Sequence, residues 1–147
     1  MPKKNMQPLN LVDGLFQLSF LLHYTLARIA TGHDLSIIQV RLLGILRDRE
    51  PGMLELARHL ELEKSSLSGL VDRAEQRGLV ERIPSPGDRR GTRIRVTAQG
   101  RRLSRVVEAE VTASVSTLIT VLSKSDRDRL TSLVSRIMAA SNGTKDG

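Results

Sequence analysis

Apolar residues recur at intervals of three and four through most of this chain, the spacing that gathers them on one face of an α-helix. The first such stretch is Leu9 to Ala30, in which Phe16, Phe20 and Tyr24 lie four residues apart and share a face. Thr31-Gly32-His33-Asp34 interrupts the pattern. Ser36 is then placed to cap a second helix, Ile37–Arg49, with Ile38, Leu42, Ile45 and Leu46 on its buried side. Pro51-Gly52 ends it. Two shorter helical segments follow, Leu54–Leu60 and Lys64–Arg77, joined by a tight turn at Glu61–Glu63. Each has one apolar stripe: Leu54, Ala57 and Leu60 in the first, Leu67, Leu70, Val71 and Ala74 in the second.

Beyond Gly78, placed where a left-handed helix cap is wanted, the period changes. Leu79–Ile83 and Thr92–Thr97 read as short strands. The prolines and glycines of residues 84–91 mark a hairpin loop whose tip carries Asp88, Arg89 and Arg90. Thr97 opens a long helix to about Leu122, with Leu103, Val106, Val107, Val111, Val115, Leu118 and Leu122 at near-heptad spacing. Ser123-Lys124-Ser125-Asp126 has the form of a capping box and opens a last helix, Lys124–Ala140, before a tail, Ser141–Gly147, expected to fray.

Helix, turn, helix and arginine-tipped hairpin make a winged helix-turn-helix. The fold class expected is mainly α with a small β-hairpin wing, in a single domain over residues 1–147. Residues 36–97 span the winged helix-turn-helix, flanked by helices at 9–30 and 98–140. A fifth helix of about 25 residues extends about 37 Å at 1.5 Å per residue, longer than so small a domain readily covers. Its apolar face points to a second copy of the chain; packing against the first and last helices is the alternative.

Charge sharpens the picture. The chain has 23 Lys and Arg against 16 Asp and Glu, a net of +7. Residues 82–105 hold eight arginines and one acid, Asp88, a surplus equal to the whole net charge. A phosphate-binding face concentrates its cations in this way; an arginine-rich loop without function is the bland alternative. In the second helix of the motif, Lys64, Ser65, Ser66, Ser68 and Gly69 are small or polar and lie near the N-terminus, the end that enters a major groove. Arg73 is placed to reach DNA. Arg77 either reaches phosphates or pairs with Asp72 and Glu75. On the wing, Asp88 is expected to hold the Arg90 guanidinium for the minor groove of A·T-rich DNA.

Composition removes several classes. Cysteine is absent, which excludes disulfides, thiolate metal sites and thiol switches. No apolar run approaches the roughly 18 residues of a membrane span. Met1-Pro2-Lys3-Lys4-Asn5 has no adjoining signal-type region, so a cytoplasmic protein is expected. His23, His33 and His59 are scattered with no convergent carboxylates, which argues against an enzyme, and His33-Asp34 is a thin basis for a metal site. No cofactor is expected. RNA is disfavoured because the basic face lacks stacking aromatics. A winged-helix protein-interaction module without DNA binding is the competing class. The aromatic stripe reads first as core or subunit packing, with a small aromatic anion held on it beside His23 and Arg28 as the second reading.

The stretch LVDRAEQRGLVERIPSPGDRRGTRIRVTAQG, residues 70–100, resembles the MarR family of transcriptional regulators. The family pattern is met by Leu70, Val71, Asp72, Gly78, Leu79, Val80 and Arg82, then Asp88 and Arg90, then Val96, Thr97 and Gly100, with departures at Ala74 and Val96, each usually Leu. The resemblance makes the helices at 9–30 and 98–140 dimerisation helices: it implies a homodimer whose first, fifth and sixth helices interlock, bound to pseudo-palindromic double-stranded DNA and usually repressing. It further implies release by a small phenolic or anionic effector. By position it makes Ser65, Ser66, Ser68 and Arg73 recognition-helix contacts, Arg90 the wing arginine and Asp88 its holder. The ligand cleft maps onto Phe20, Tyr24, Arg28 and the start of the second helix. Two recognition helices on one face of DNA must stand about 34 Å apart.

Overall fold

A computed structural model describes residues 8–144. Helix α1 (Leu11–Gly32) starts two residues later than its apolar pattern, because Asn10 caps it: its Oδ1 accepts from the Asp13 N–H at 2.9 Å. After α1 the chain turns through Asp34 in the left-handed region. Helix α2 (Ile37–Leu46) is opened by a reciprocal capping box between Ser36 and Gln39. It stops three residues short of the expected Arg49. Pro51 disfavours helix in the residue before it, and its carbonyl accepts from the Ile94 N–H at 2.9 Å, so this segment runs beside the wing.

Helices α3 (Met53–Leu60) and α4 (Lys64–Gln76) are joined through Glu61 in the left-handed conformation. Leu54 was expected on the buried stripe of α3, yet it is 70% exposed while Leu56 is fully buried. With the helix beginning at Met53, the inward face is Met53, Leu56, Ala57 and Leu60.

Strands β1 (Val80–Ser85) and β2 (Asp88–Val96) pair antiparallel, with Val80 opposite Val96 and Pro84 opposite Thr92. The expected eight-residue loop is therefore mostly strand, and only Pro86-Gly87 remains as the turn. The register shifts between Pro84 and Ser85, where the regular pairing of the ribbon breaks before the turn.

The junction from α4 through β1 to α5 (Ala98–Leu118) depends on two glycines. Gly78 takes φ +72°. The Thr97 hydroxyl donates to the Gly78 carbonyl at 2.5 Å and accepts from the Gly100 N–H at 3.0 Å, capping α5. At Gly100 a Cβ would sit 2.0 Å from the Leu79 carbonyl oxygen, so no other residue allows this approach. A 3-10 turn at Ile119–Val121 follows, shortening the predicted helix. Helix α6 (Lys124–Gly143) is capped by the Ser123 hydroxyl and runs through residues expected to fray, the last three of which lie outside the described part.

The chain divides into two compact units between Val111 and Thr112. In the first, Leu42, Leu46, Leu56, Leu60, Leu67, Leu70, Val71, Leu79, Val80 and Ile94 form a core joining α2, α3, α4 and the wing root, extended by Ile29, Leu35 and Val107. Leu15, Phe16, Phe20 and Leu21 of α1 are exposed. In the second unit, α6 presents Leu130, Leu133, Val134, Ile137 and Met138 to solvent. Among the described residues no single helix is long and apolar enough to cross a membrane.

Candidate nucleic-acid interface

Helix α4 is held by its apolar face. Leu67, Leu70, Val71 and Ala74 are buried, which turns the opposite face outward. Lys64, Ser65 and Ser66 are exposed in its first turn and Ser68 is half-buried. The N-cap residue, Glu63, makes no side-chain hydrogen bond to the helix, so its side chain leaves the opening amides uncapped. An uncapped, positively polarised helix end flanked by a lysine and hydroxyls is suited to accept phosphate oxygens. Arg73 extends the exposed surface. Its guanidinium lies over Gly69, where a Cβ would come within 3.1 Å of Nη1.

Asp72 and Glu75 would oppose DNA if left bare. Arg82 of β1 occupies both: its Nη2 donates to Asp72 Oδ1 at 2.6 Å, its Nη1 to Glu75 Oε1 at 2.9 Å, and its backbone N–H to Glu75 Oε2 at 3.1 Å. The Asp72 hydrogen bond is the main cause of a raised Arg82 pKa. This clamp fixes the wing's first strand to the recognition helix. The sequence pattern contained Asp72 and Arg82, but nothing in their spacing identified them as partners across a helix–strand junction.

Arg77 departs from both roles expected of it. Its Nη1 donates to the Asp34 carbonyl at 2.5 Å and its Nη2 to the His33 carbonyl at 3.3 Å. It ties the end of α4 to the α1–α2 turn, a contact across more than forty residues of sequence that no local spacing reveals.

The wing also differs in detail. Asp88, Arg89 and Arg90 lie at the start of β2 and not in a loop. Asp88 Oδ1 accepts from the Arg90 backbone N–H at 2.9 Å. The carboxylate thus fixes the turn, while the Arg90 side chain stays exposed instead of being gripped as expected. Arg95 pairs with Glu81 at 2.7 Å. Arg82 and Arg95 are accordingly neutralised by acids outside the 82–105 segment, and the basic surplus on this face is smaller than the raw count.

Phe20 and Tyr24 are 69% and 67% exposed, and Arg28 is exposed as well. Phe16 and Phe20 stack with ring centroids 6.5 Å apart. The stripe is therefore a surface within its own unit, not core. His33 Nε2 lies 2.8 Å from Glu110 Oε1, while His59 lies between Glu55 and the Arg49 guanidinium. Among the described residues no group of three or more His, Asp or Glu is placed to hold a metal ion.

The MarR family model matches residues 33–91, from the α1–α2 turn to the wing. The regulator PecS of Dickeya dadantii, described as an HTH-type transcriptional regulator, is 28% identical over 92% of this chain and 84% of its own length. A structure of S. aureus MepR in complex with DNA superposes with a TM-score of 0.72 at 17% identity, covering 90% of this chain and 99% of that one. NadR in complex with 4-hydroxyphenylacetate superposes with a TM-score of 0.71 at 24% identity, covering 93% and 97%. Both structures share the fold.

Proposed function

We infer that this chain, whose winged helix-turn-helix lobe is of the MarR family, is a transcriptional regulator that binds double-stranded DNA. One observation carries the reading. The N-terminus of α4 is exposed and uncapped between Lys64, Ser65 and Ser66, and the acids farther along the helix are neutralised by Arg82. Ser68 and Arg73 extend the contact along α4, Arg90 reaches the flanking minor groove from a wing whose turn Asp88 holds, and Arg89 is a further DNA-binding residue. The protein works as a cytoplasmic homodimer, not an enzyme, with residues 36–97 as its DNA-binding lobe. Its helices at 9–30 and 98–140 supply the subunit contact, for which the exposed apolar residues of α1 and α6 are the support. Paired recognition helices then meet a pseudo-palindromic operator, and repression follows from occupying it. DNA-bound MepR and ligand-bound NadR support a regulator that answers to a small aromatic or anionic effector, with Phe20, Tyr24 and Arg28 as contributors.

Fluorescence anisotropy with the gene's own upstream DNA, over a salt series, tests the core of this. Wild type is expected to bind at about 10⁻⁸ to 10⁻¹¹ M and to weaken steeply as salt rises and counterion release loses its drive. Arg90→Ala should cost about 1–3 kcal/mol of binding free energy. If wild type shows no salt-sensitive binding to this DNA or to genomic fragments, a protein-interaction module replaces the regulator.

A further inference from the structure

The turn between α1 and α2 is gripped from two sides by groups outside it. From α4, Arg77 donates through Nη1 to the Asp34 carbonyl at 2.5 Å and through Nη2 to the His33 carbonyl at 3.3 Å. From α5, Glu110 Oε1 lies 2.8 Å from His33 Nε2. Helix α1 has no Lys or Arg in its own last turn, so Arg77 brings a cation to the negative end of another helix. Asp34 stands in the left-handed region, a conformation that a residue other than glycine keeps where its surroundings hold it.

A second tie joins the far end of α2 to α5. Arg47 pairs with Glu108 at 3.1 Å, and Arg101 donates to the Arg47 carbonyl at 3.1 Å. Glu108 and Glu110 are two residues apart and so point about 200° apart around their helix. The winged lobe is thus fastened to α5 on two opposite sides. Apolar contacts of Ile29, Leu35 and Val107 join the same elements, but they are non-directional and can slide. The angle between lobe and helix is set by the hydrogen bonds, which have direction.

We propose that Arg77 is a positioning residue for operator recognition. Through the His33–Asp34 turn and Glu110 it fixes the angle of α4 to α5, and with it the half-site spacing that the dimer accepts, which rests on the regulator and homodimer reading above. Helix α4 has 13 residues and is about 20 Å long. Arg77 holds one end, and Lys64, Ser65 and Ser66 lie at the other. A swing of about 10° at the held end carries the opposite end about 3.4 Å, the rise of one base pair. With both ties made the lobe resists turning; with the Arg77 tie cut it pivots on Arg47 and Glu108. Arg77 is exposed, so water replaces it at the two carbonyls, and the expected effect is loosening and not unfolding.

The chain lacks cysteine, so a spin label on Glu63→Cys, at the far end of α4, reports the distance between the two recognition helices of the full-length dimer by pulsed electron paramagnetic resonance. In parallel, the unlabelled protein selects its half-sites from a random duplex library, and anisotropy compares the selected duplex with one carrying an extra base pair between the half-sites. Wild type should show a narrow distance distribution and lose about tenfold or more in affinity for the longer duplex. Arg77→Gln should broaden the distribution and cut that discrimination by about fivefold or more. Glu110→Ala, at the other grip on the turn, should move both readouts the same way, and it decides the matter if Arg77→Gln does not fold. A merely structural role would weaken both duplexes alike and leave their ratio unchanged. That outcome overturns the proposal, as do unchanged distances in the folded variants or the absence of any dipolar signal between copies. Wild type that selects no DNA, with distances still broadened by Arg77→Gln, sinks the regulator reading and leaves Arg77 as the residue that fixes the lobe.

Discussion

Arg82 shows how much of this surface depends on one side chain. Its guanidinium satisfies two carboxylates of α4 and joins the recognition helix to the first wing strand. Arg82→Met keeps the stem and removes the charge. Because both carboxylates are substantially exposed, solvent relieves part of their loss, and the expected cost is about 1 kcal/mol by urea denaturation. At this scale the sequence was legible in kind but not in partner. The outward Ser65, Ser66 and Arg73 follow from the periodicity of α4, since the opposite stripe must be buried. Arg77 does not, because its acceptors are backbone carbonyls far away in the chain, and Asp88 was paired with the wrong part of Arg90. Short polar side chains near a turn are satisfied by the nearest N–H, and that option competes with a long, mobile guanidinium.

Elements were easier to read than their edges. Every helix and both strands follow from apolar period, caps and glycines, whereas α2, the wing strands and α5 each end away from the predicted boundary. The causes are physical. Pro51 pairs its carbonyl with β2, and a tight turn at Pro86-Gly87 lets the ribbon continue through residues read as loop. Leu54 and Leu56 exchanged places for a related reason: a helix of eight residues has few apolar positions, and its starting residue decides which face is inward. The most demanding junction is that of α4, β1 and α5. Gly100→Ala would place a methyl group 2.0 Å from a carbonyl oxygen, so the backbone of α5 must move. A loss of about 3 kcal/mol, with a lowered melting temperature by circular dichroism, is expected.

At the scale of the whole molecule, the exposed apolar residues of α1 and α6 raise a different question from the winged lobe. Large apolar side chains left bare along helices are costly in water and favour association. Phe20→Asp places a charge within the α1 set and should convert the proposed dimer to monomer in analytical ultracentrifugation, while the winged lobe keeps its fold. The uncapped start of α4 has a consequence of another sort. A serine or aspartate at position 63 would steady that helix by about 1 kcal/mol, and the chain instead carries Glu63, which makes no capping bond. In the complex proposed above this is the end that meets DNA, and phosphate oxygens would complete the bonds that Glu63 does not make. Recognition and local ordering would then be one event, with stability and activity traded at a single backbone turn.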